Sequence, residues 1–478
     1  MNISSIKERV PKLSLVKKNF IYSSILLSAN YIIQLIIFPY ISRVLGVEKV
    51  GVCNFVDSII GYFALFASMG ISTIGIREIA AAKGDKEKLS YVFSNLFLLN
   101  TVTTVASSIV LVVVIHTVDS LSGYTNLLYI GLIKLLSNYL LIEWFFRGLE
   151  EFRFITVRSV LVKLVYVVLI LLFVKTPEDY SIYYLLTVLT IVINAIINML
   201  YSRRYARLSF KAINLKYFTI PFFTIGVYIL MNSMYTSFNV AYLGFVAGDV
   251  EVGYYTTATK LYTIFISLFG AFTGVMLPRM SALVEQNKKD EFLRLFSKSV
   301  NFQLCFSIPV IIYTELFAPE IISFLAGPGY EGAILPMRIV MPLLFVIGYE
   351  QILVTQTLLP LKQDKIVLRN SIIGAATGII LNIMLVPMLH SIGSSIVWCA
   401  CEVVIMLLSQ AIVSKTIGAH FDYKCLIKHI CINIPLFIVL YPLVNLDIEL
   451  FFKLLLSGSV FSIYELLVYI ISRKHSTI

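Results

Sequence analysis

The sequence predicts an all-α polytopic membrane protein with about fourteen transmembrane helices. Hydrophobic residues make up 59% of its 478 residues and charged residues only 14%, whereas soluble domains are about half apolar and about a quarter charged. A spanning helix needs about 20 apolar residues, so fourteen helices occupy roughly 280 positions and leave short loops. Because lipid cannot satisfy backbone N–H and C=O groups, every apolar run must be helical.

Fourteen apolar runs, separated by charged residues or by glycine and proline, define the predicted spans. In chain order they are 20–42, 51–74, 90–115, 124–146, 155–174, 180–201, 219–246, 253–277, 296–317, 334–359, 367–389, 392–413, 426–445 and 450–472. The first run is too long for a secretory signal and lacks an A-x-A cleavage site, so we expect it to stay as the first helix. The last two runs are also compatible with a twelve-helix chain that ends in a re-entrant tail.

Basic residues alternate between rich and poor loops along the chain. About 30 of the 38 lysines and arginines fall in the stretches 7–18, 77–88, 147–158, 203–216, 279–298, 362–369, 415–428 and 473–474. The loops between them hold only Arg43, Lys49, Lys175 and Arg338. This asymmetry identifies the basic side as cytoplasmic, so we expect a bacterial inner-membrane protein with both termini inside. The net charge of +11 forms no single stripe, which argues against a nucleic-acid partner.

The chain also repeats itself at an offset of 202 residues. The matched pairs are Asn30/Asn232, Tyr40/Tyr242, Gly46/Gly248, Val50/Val252, Gly51/Gly253, Phe63/Phe265 and Arg77/Arg279. Six helices separate the copies, so both copies run in the same direction through the membrane. We therefore predict a first lobe at 1–208 (helices 1–6), a second lobe at 209–417 (helices 7–12) and an appended helix pair at 418–478. The basic stretch 201–217 links the two lobes.

The sequence predicts no catalytic, metal or cofactor site. Its six cysteines form no CxxC pair. Its five histidines form no HExxH spacing, and no GxxxxGK[ST] phosphate loop occurs. The stretches between apolar runs are about 20 residues at most, whereas a soluble catalytic domain needs at least about 50.

Three stretches of the chain resemble the Wzx-type oligosaccharide flippases of the multidrug/oligosaccharidyl-lipid/polysaccharide exporter superfamily. They are PYISRVLGVEKVGVCNFVDSIIGYFALFASMGISTIGIREIA (39–80), EWFFRGLEEFRFITVRS (143–159) and AYLGFVAGDVEVGYYTTATK (241–260). The resemblance covers essentially the whole chain. It implies a MATE-like fold of two six-helix bundles around a central cavity, and transfer of polyprenyl-pyrophosphate-linked sugars from the cytoplasmic to the outer leaflet. Twelve helices are common in this family, so the C-terminal pair would be an addition.

Charged side chains within the apolar runs or at their ends are the candidate functional groups, because a charge in the bilayer is costly unless it faces water or a partner. Four cations are candidates for substrate binding: Arg43, Lys134, Lys163 and Lys260. Six groups are candidates for ion coupling or gating: Asp57, Glu143, Glu350, Glu402, Arg77 and Arg279. Ammonium groups in a medium of low dielectric constant suit a pyrophosphate, whereas Glu350 and Glu402 suit a coupling proton or sodium ion.

Several of these candidates also have a structural interpretation. Glu143 and Arg147 are four residues apart and fit an ordinary intrahelical ion pair. Asp57 and Lys260 lie on or beside polar faces of equivalent helices, where they would gate the protein or form a static contact between helices. Arg43, at the end of the first span, can reach the interface by snorkelling.

The sequence therefore predicts a transporter and not an enzyme. We expect a flippase that moves a lipid-linked oligosaccharide through the bilayer by alternating access, for O-antigen, capsule or exopolysaccharide biosynthesis. A polysaccharide polymerase and a chain-length regulator are the further expected partners. The alternatives are a drug or cation antiporter of the same superfamily and a membrane-embedded polysaccharide polymerase. The longest predicted outer segment, about 318–335, is short for the latter.

Overall fold

A computed structural model describes residues 15–209, 213–236 and 238–475, and within them every long regular element is an α-helix. The helices are α1 (Leu15–Ser68), α2 (Ile71–Ala81), α3 (Lys86–Thr117), α4 (Thr125–Asn138), α5 (Glu143–Gly148), α6 (Phe152–Phe173), α7 (Tyr180–Ser202), α8 (Leu215–Thr236), α9 (Phe238–Ala247), α10 (Asp249–Glu285), α11 (Lys289–Leu316), α12 (Ala318–Ala326), α13 (Ile334–Val340), α14 (Leu343–Leu353), α15 (Asp364–Ile417), α16 (Tyr423–Val444) and α17 (Leu450–His475). The predicted all-α class is confirmed. Most of the basic N-terminal stretch 7–18, and the side chain of Asn232, lie outside the described part of the chain.

The described helices provide for fourteen membrane crossings. Eleven stretches are long and apolar enough to span a bilayer. Two of them, Ile21–Ala81 with 61 residues and Asp364–Ile417 with 54, are long enough to cross twice at about 1.5 Å per residue. The shorter apolar helices α8 and α9 together supply one more crossing. The predicted count of about fourteen is thereby confirmed.

Two of the connections between spans are single-residue kinks inside a helix. α1 turns at Gly46, whose φ of 72° and ψ of 170° interrupt the helix, although the sequence predicts a loop there. Glycine tolerates this positive φ because it has no Cβ atom. α15 turns at His390, with φ of 50° and ψ of −124°, where Ser391 donates its N–H to Glu251 Oε2 at 3.1 Å. Each of these long helices therefore supplies two spans.

The described residues divide into two compact units. Unit 1 contains the described residues up to Ile37 together with Ile60–Lys175 and Ser181–Ile229. Unit 2 contains Phe38–Ile59, Thr176–Tyr180 and the described residues from Leu230 onwards. The segment 38–59 of α1 thus packs with helices from the second half of the chain. The lobes at 1–208 and 209–417 stay a prediction.

The core of unit 1 is an aromatic cluster around α5. Trp144, Phe145 and Phe146 follow one another on this short helix, and all three are buried. The ring centroid of Phe93, on α3, lies 4.7 Å from that of Phe145. Gly75 of α2 fits against Trp144, because a Cβ atom on it would lie 2.3 Å from the indole ring. The cluster therefore holds α2, α3 and α5 together.

Within unit 2, α1 crosses α10 at two glycines. A Cβ atom on Gly51 would lie 1.8 Å from the carbonyl oxygen of Asp249, and one on Gly253 would lie 2.4 Å from that of Val47. Gly51 corresponds to Gly253 at the 202-residue offset, and Val47 corresponds to Asp249. The two contacts are therefore reciprocal, as they are across a two-fold axis.

Two further pairs follow the same offset. Asn54 donates a hydrogen bond from Nδ2 to Thr256 Oγ1 at 3.1 Å, and these two residues are 202 positions apart. Gly46 and Gly248 each lie about one helical turn before the crossing, in their own copy of the repeat. Their φ angles are 72° and 84°. The repeat found in the sequence thus has a local geometric counterpart at the crossing of α1 and α10.

Candidate functional site

In unit 1, the buried Arg158 forms hydrogen bonds to charged and polar side chains of neighbouring helices. Arg158 lies on α6 and is 5% exposed. Its guanidinium donates to Glu143 Oε1 at 2.9 Å, to Ser159 Oγ at 2.8 Å and to Asn198 Oδ1 of α7. Glu143 also pairs with Arg147 at 3.4 Å, as its four-residue spacing predicts. The carboxylate therefore joins one exposed and one buried arginine.

Lys163, five residues further along α6, has a different environment. It is half-buried, and its ammonium group donates a hydrogen bond to Asn30 Oδ1 of α1. No ion pair between Lys163 and a carboxylate occurs in the described part of the chain. Its positive charge is thus held by a neutral amide.

The helical conformation is interrupted at Ile142, immediately before Glu143. Ile142 has a φ of 37° and a ψ of 34°, between a short 3₁₀ segment and α5. A cavity of about 180 Å³ lies beside the break. Three of the residues that line it carry a buried polar atom with no hydrogen-bond partner among the described residues: Asn100 Oδ1, Thr104 Oγ1 and Trp144 Nε1. Such a polar cavity has the size and the partners for ordered water.

Lys260, on α10 in unit 2, resembles Lys163 in having a neutral partner. Its ammonium group lies 5.3 Å from the ring centroid of Phe38, which is a cation–π geometry. Asp57 lies near enough to interact with it electrostatically, but within the described residues Lys260 forms no ion pair. Gating by this pair of opposite charges stays a prediction.

Glu350 on α14 and Glu402 on α15 meet inside unit 2. Glu402 is 3% exposed, and its Oε1 accepts a hydrogen bond from Trp398 Nε1 at 3.0 Å. Glu350 lies near enough to Glu402 for the two carboxyl groups to interact. Two carboxylates this close repel each other unless one of them is protonated or a cation lies beside them.

Arg43 caps the C-terminal end of the short helix α12 in unit 2. Its guanidinium donates to the carbonyl oxygens of Ser323 and Phe324 at 3.3 and 2.6 Å, and to that of Pro39 at 2.7 Å. The neighbouring Ser42 donates to the carbonyl of Leu325 at 3.3 Å. The carbonyls of Ser323, Phe324 and Leu325 belong to the last turn of α12, where a cation is favourable.

The remaining candidates lie apart from these groups. Lys134 is half-buried on α4 in unit 1. Arg77 on α2 is exposed and pairs with its neighbour Glu78 at 2.8 Å. Arg279, its counterpart in the repeat, is exposed on α10 in unit 2.

The sequence singles out most of these residues as candidates, but Arg158 falls in the basic stretch 147–158 that predicts a loop. The structure places Arg158 inside α6, and its partners Glu143 and Asn198 are 15 and 40 residues away. The signal in the sequence is a cation four residues into an apolar run. Its partners could not be read from spacing, because they belong to other helices.

Comparison with known proteins identifies relatives along most of the chain. The family model for polysaccharide biosynthesis proteins matches residues 16–284, more than half of the chain. The chain is 24% identical over 394 residues to a putative O-antigen transporter of Escherichia coli strain K12, covering 82% of this chain and 94% of that protein. It is 25% identical over 169 residues to the probable flippase AglR of Haloferax volcanii, covering 35% of each chain.

Solved structures agree on the fold. The lipid II flippase MurJ in an inward closed conformation superposes with a TM-score of 0.75 at 14% identity, covering 96% of this chain and all of that one. An inward-facing multidrug transporter of the MATE family superposes with a TM-score of 0.67 at 16% identity, covering 84% of this chain and 98% of that one. The MATE-like fold and the resemblance to Wzx-type flippases are thereby confirmed. This multi-pass membrane protein belongs to the polysaccharide biosynthesis protein family.

Proposed function

We propose that this protein is a flippase that moves a polyprenyl-pyrophosphate-linked oligosaccharide from the cytoplasmic to the outer leaflet, for O-antigen, capsule or exopolysaccharide biosynthesis. The family match and the relatives named as O-antigen transporters support this proposal over an enzymatic role. The protein would work by alternating access, which exposes the substrate site to one leaflet and then to the other. The lobes at 1–208 and 209–417, with the pair at 418–478, are part of the proposal.

The observation that carries the proposal is a pair of lysines with neutral partners inside membrane spans. Lys163 contacts the amide of Asn30, and Lys260 contacts the ring of Phe38. A cation with no carboxylate in direct contact attracts an anion strongly where the dielectric constant is low. The pyrophosphate of a lipid-linked sugar is such an anion. Lys134 and Arg43 remain further candidates for contact with it.

Energy would come from a gradient, from the membrane potential or from removal of the product. An inside-negative potential of 100 mV moves each uncompensated negative charge outward with a gain of about 2.3 kcal/mol. The Glu350–Glu402 pair is the proposed place for a coupling proton or sodium ion. Asp57, Arg77 and Arg279, together with Glu143, are the proposed gating groups.

Location and partners are also part of the proposal. The alternation of basic loops supports a bacterial inner-membrane protein with both termini in the cytoplasm. A polysaccharide polymerase and a chain-length regulator would act on the exported substrate, and we propose them as partners.

The test uses a bacterium whose own flippase gene is deleted and replaced by variants of this protein. Lys163→Ala and Lys260→Ala should each abolish surface polysaccharide while the protein still accumulates in the membrane. The matched control is Lys288→Ala, which removes an exposed lysine that pairs with Glu291 at 3.5 Å outside the spans. Normal polysaccharide from both span variants would contradict the proposal.

A drug or cation antiporter is the second candidate, because the buried acidic pair of unit 2 also suits a cation. Proteoliposomes distinguish the two functions. An antiporter would show proton or sodium flux that a small organic cation stimulates, and the flippase would show flux or inversion only with a lipid-linked sugar. Stimulation by organic cations alone would favour the antiporter.

A further inference from the structure

A large cationic cavity opens in unit 1 where α3 begins and α7 ends. Its volume is about 950 Å³. Five cationic side chains line it, against the carboxylates of Asp85 and Glu87: Lys86, Lys88, Arg203, Arg204 and Arg207. Asp85 is already engaged, because its side chain accepts hydrogen bonds from the backbone N–H groups of Glu87 and Lys88 at 3.0 Å. The cavity therefore has a clear excess of positive charge.

The cations are available for a ligand. Lys86, Lys88, Arg203 and Arg207 form no side-chain hydrogen bond or ion pair with any residue that the structure describes. Arg204 stacks on Tyr201, with its guanidinium carbon 4.8 Å from the ring centroid. Burial, together with hydrogen bonds to Tyr201 and Glu151, raises the pKa of the Tyr205 phenol. Tyr205 therefore adds no negative charge at neutral pH.

The segment that carries the arginines is fixed in place. After α7 the chain runs along α3, and three side chains of α3 accept hydrogen bonds from its backbone. Arg207 N–H donates to Ser90 Oγ at 3.2 Å and Ser209 N–H donates to Ser94 Oγ at 2.9 Å. Asn214 N–H donates to Asn95 Oδ1 at 2.7 Å. The cavity is thus preformed, which lowers the entropic cost of binding.

The cavity lies at the end of two membrane spans. The spans Lys86–Thr117 and Pro177–Ser202 begin and end at its edge. An apolar side chain is exposed next to it: Leu208, between the lining residues Arg207 and Ser209, is 39% exposed. Ile213, further along the chain, is 45% exposed. Cations that reach for phosphates, next to exposed apolar side chains, are typical of a surface at the boundary between lipid and water.

We propose that this cavity binds the phosphate headgroup of an anionic phospholipid from the adjacent leaflet. Arginine presents a planar fork of donors that matches phosphate oxygens, and lysine adds a point charge. Basic pockets between spans on the cytoplasmic side bind anionic headgroups in this way. The acyl chains would lie along the exposed apolar flank. The residues that line this cavity are different from those proposed for transport.

The test measures lipid binding to the full-length protein by native mass spectrometry. Phosphatidylglycerol should bind more tightly than phosphatidylcholine. The variant Lys86→Gln/Arg203→Gln/Arg207→Gln should bind phosphatidylglycerol about 100-fold more weakly, at roughly fivefold per cation. The matched control replaces three exposed cations at the ends of α15 by glutamine, Lys365, Arg369 and Lys415, and should bind as the unchanged protein does.

A second variant separates preformed geometry from charge. Ser90→Ala/Ser94→Ala keeps all five cations but removes two acceptors that hold the arginine segment, so it should also weaken phosphatidylglycerol binding. Soluble glycerol 3-phosphate should compete poorly, because it lacks the acyl chains. Equal binding of the two lipids, equal losses in the cavity variant and the control, or competition by glycerol 3-phosphate at the affinity of the lipid would each overturn the proposal.

Discussion

Replacing Glu143 with glutamine removes the carboxylate that faces the buried guanidinium of Arg158. The two groups are 2.9 Å apart, and the side chain of Arg158 is 3% exposed whereas that of Glu143 is 33% exposed. At an effective dielectric constant of about 20, their Coulomb attraction is about 6 kcal/mol. Arg158 keeps Asn198 and Ser159 as neutral partners, and water reaches Glu143. We therefore expect Glu143→Gln to lower the free energy of unfolding by about 2 to 3 kcal/mol.

Arg147 supplies the matched control for this prediction. It pairs with the same carboxylate at 3.4 Å, but its side chain is 45% exposed, and exposed ion pairs contribute about 0 to 1 kcal/mol. Arg147→Gln should therefore change the melting temperature of the protein in detergent far less than Glu143→Gln does. The double variant Glu143→Gln/Arg158→Gln should recover part of the loss. Equal destabilisation by Glu143→Gln and Arg147→Gln would refute the assignment of Arg158 as the main partner.

Three further predictions concern unit 2. Gly253→Leu should lower the free energy of unfolding by about 1 to 3 kcal/mol, because the new leucine side chain would meet the carbonyl of Val47. The control Gly274→Leu should be tolerated, because a Cβ atom on Gly274 would meet nothing within 4 Å. Arg43→Gln should speed hydrogen exchange in the last turn of α12, and unchanged exchange would contradict its capping role. Glu402→Gln should abolish the dependence of transport on a proton or sodium gradient in proteoliposomes, and an unchanged dependence would exclude this residue from coupling.

The fold was largely predictable, because the bilayer leaves few choices. Each apolar run of about 20 residues has to be a helix, and alternating basic loops predict the direction of each run. The apolar runs do not show how consecutive spans are connected. The first two spans form one helix kinked at Gly46, and the fourth is broken at Ile142, a branched residue with a φ of 37°. Positive φ at such a residue depends on its packing, which local propensity does not report.

The candidate site was predictable by residue type and much less by partnership. A charge in an apolar run is conspicuous, so Lys163, Lys260 and Glu402 could be selected from the sequence alone. The Lys163 amide partner, Asn30, is 133 residues away. Asn54 and Thr256, which lie 202 residues apart, are hydrogen-bonded to each other, so equivalent residues of the repeat meet where α1 crosses α10. A repeat predicts partners only where its two copies meet.

The difference between Arg158 and Lys163, five residues apart on α6, separates stability from transport. Arg158 is compensated by a carboxylate, so its removal leaves Glu143 with a weaker partner and should mainly destabilise the protein. Lys163 has only a hydrogen bond to a neutral amide, which a glutamine N–H can also donate, and it can turn to an anion without breaking an ion pair. Lys163→Gln should therefore keep the melting temperature and lose export, and Arg158→Gln should lower the melting temperature. If both variants lost stability equally, Lys163 would be a structural residue and the substrate charge would have to be met elsewhere.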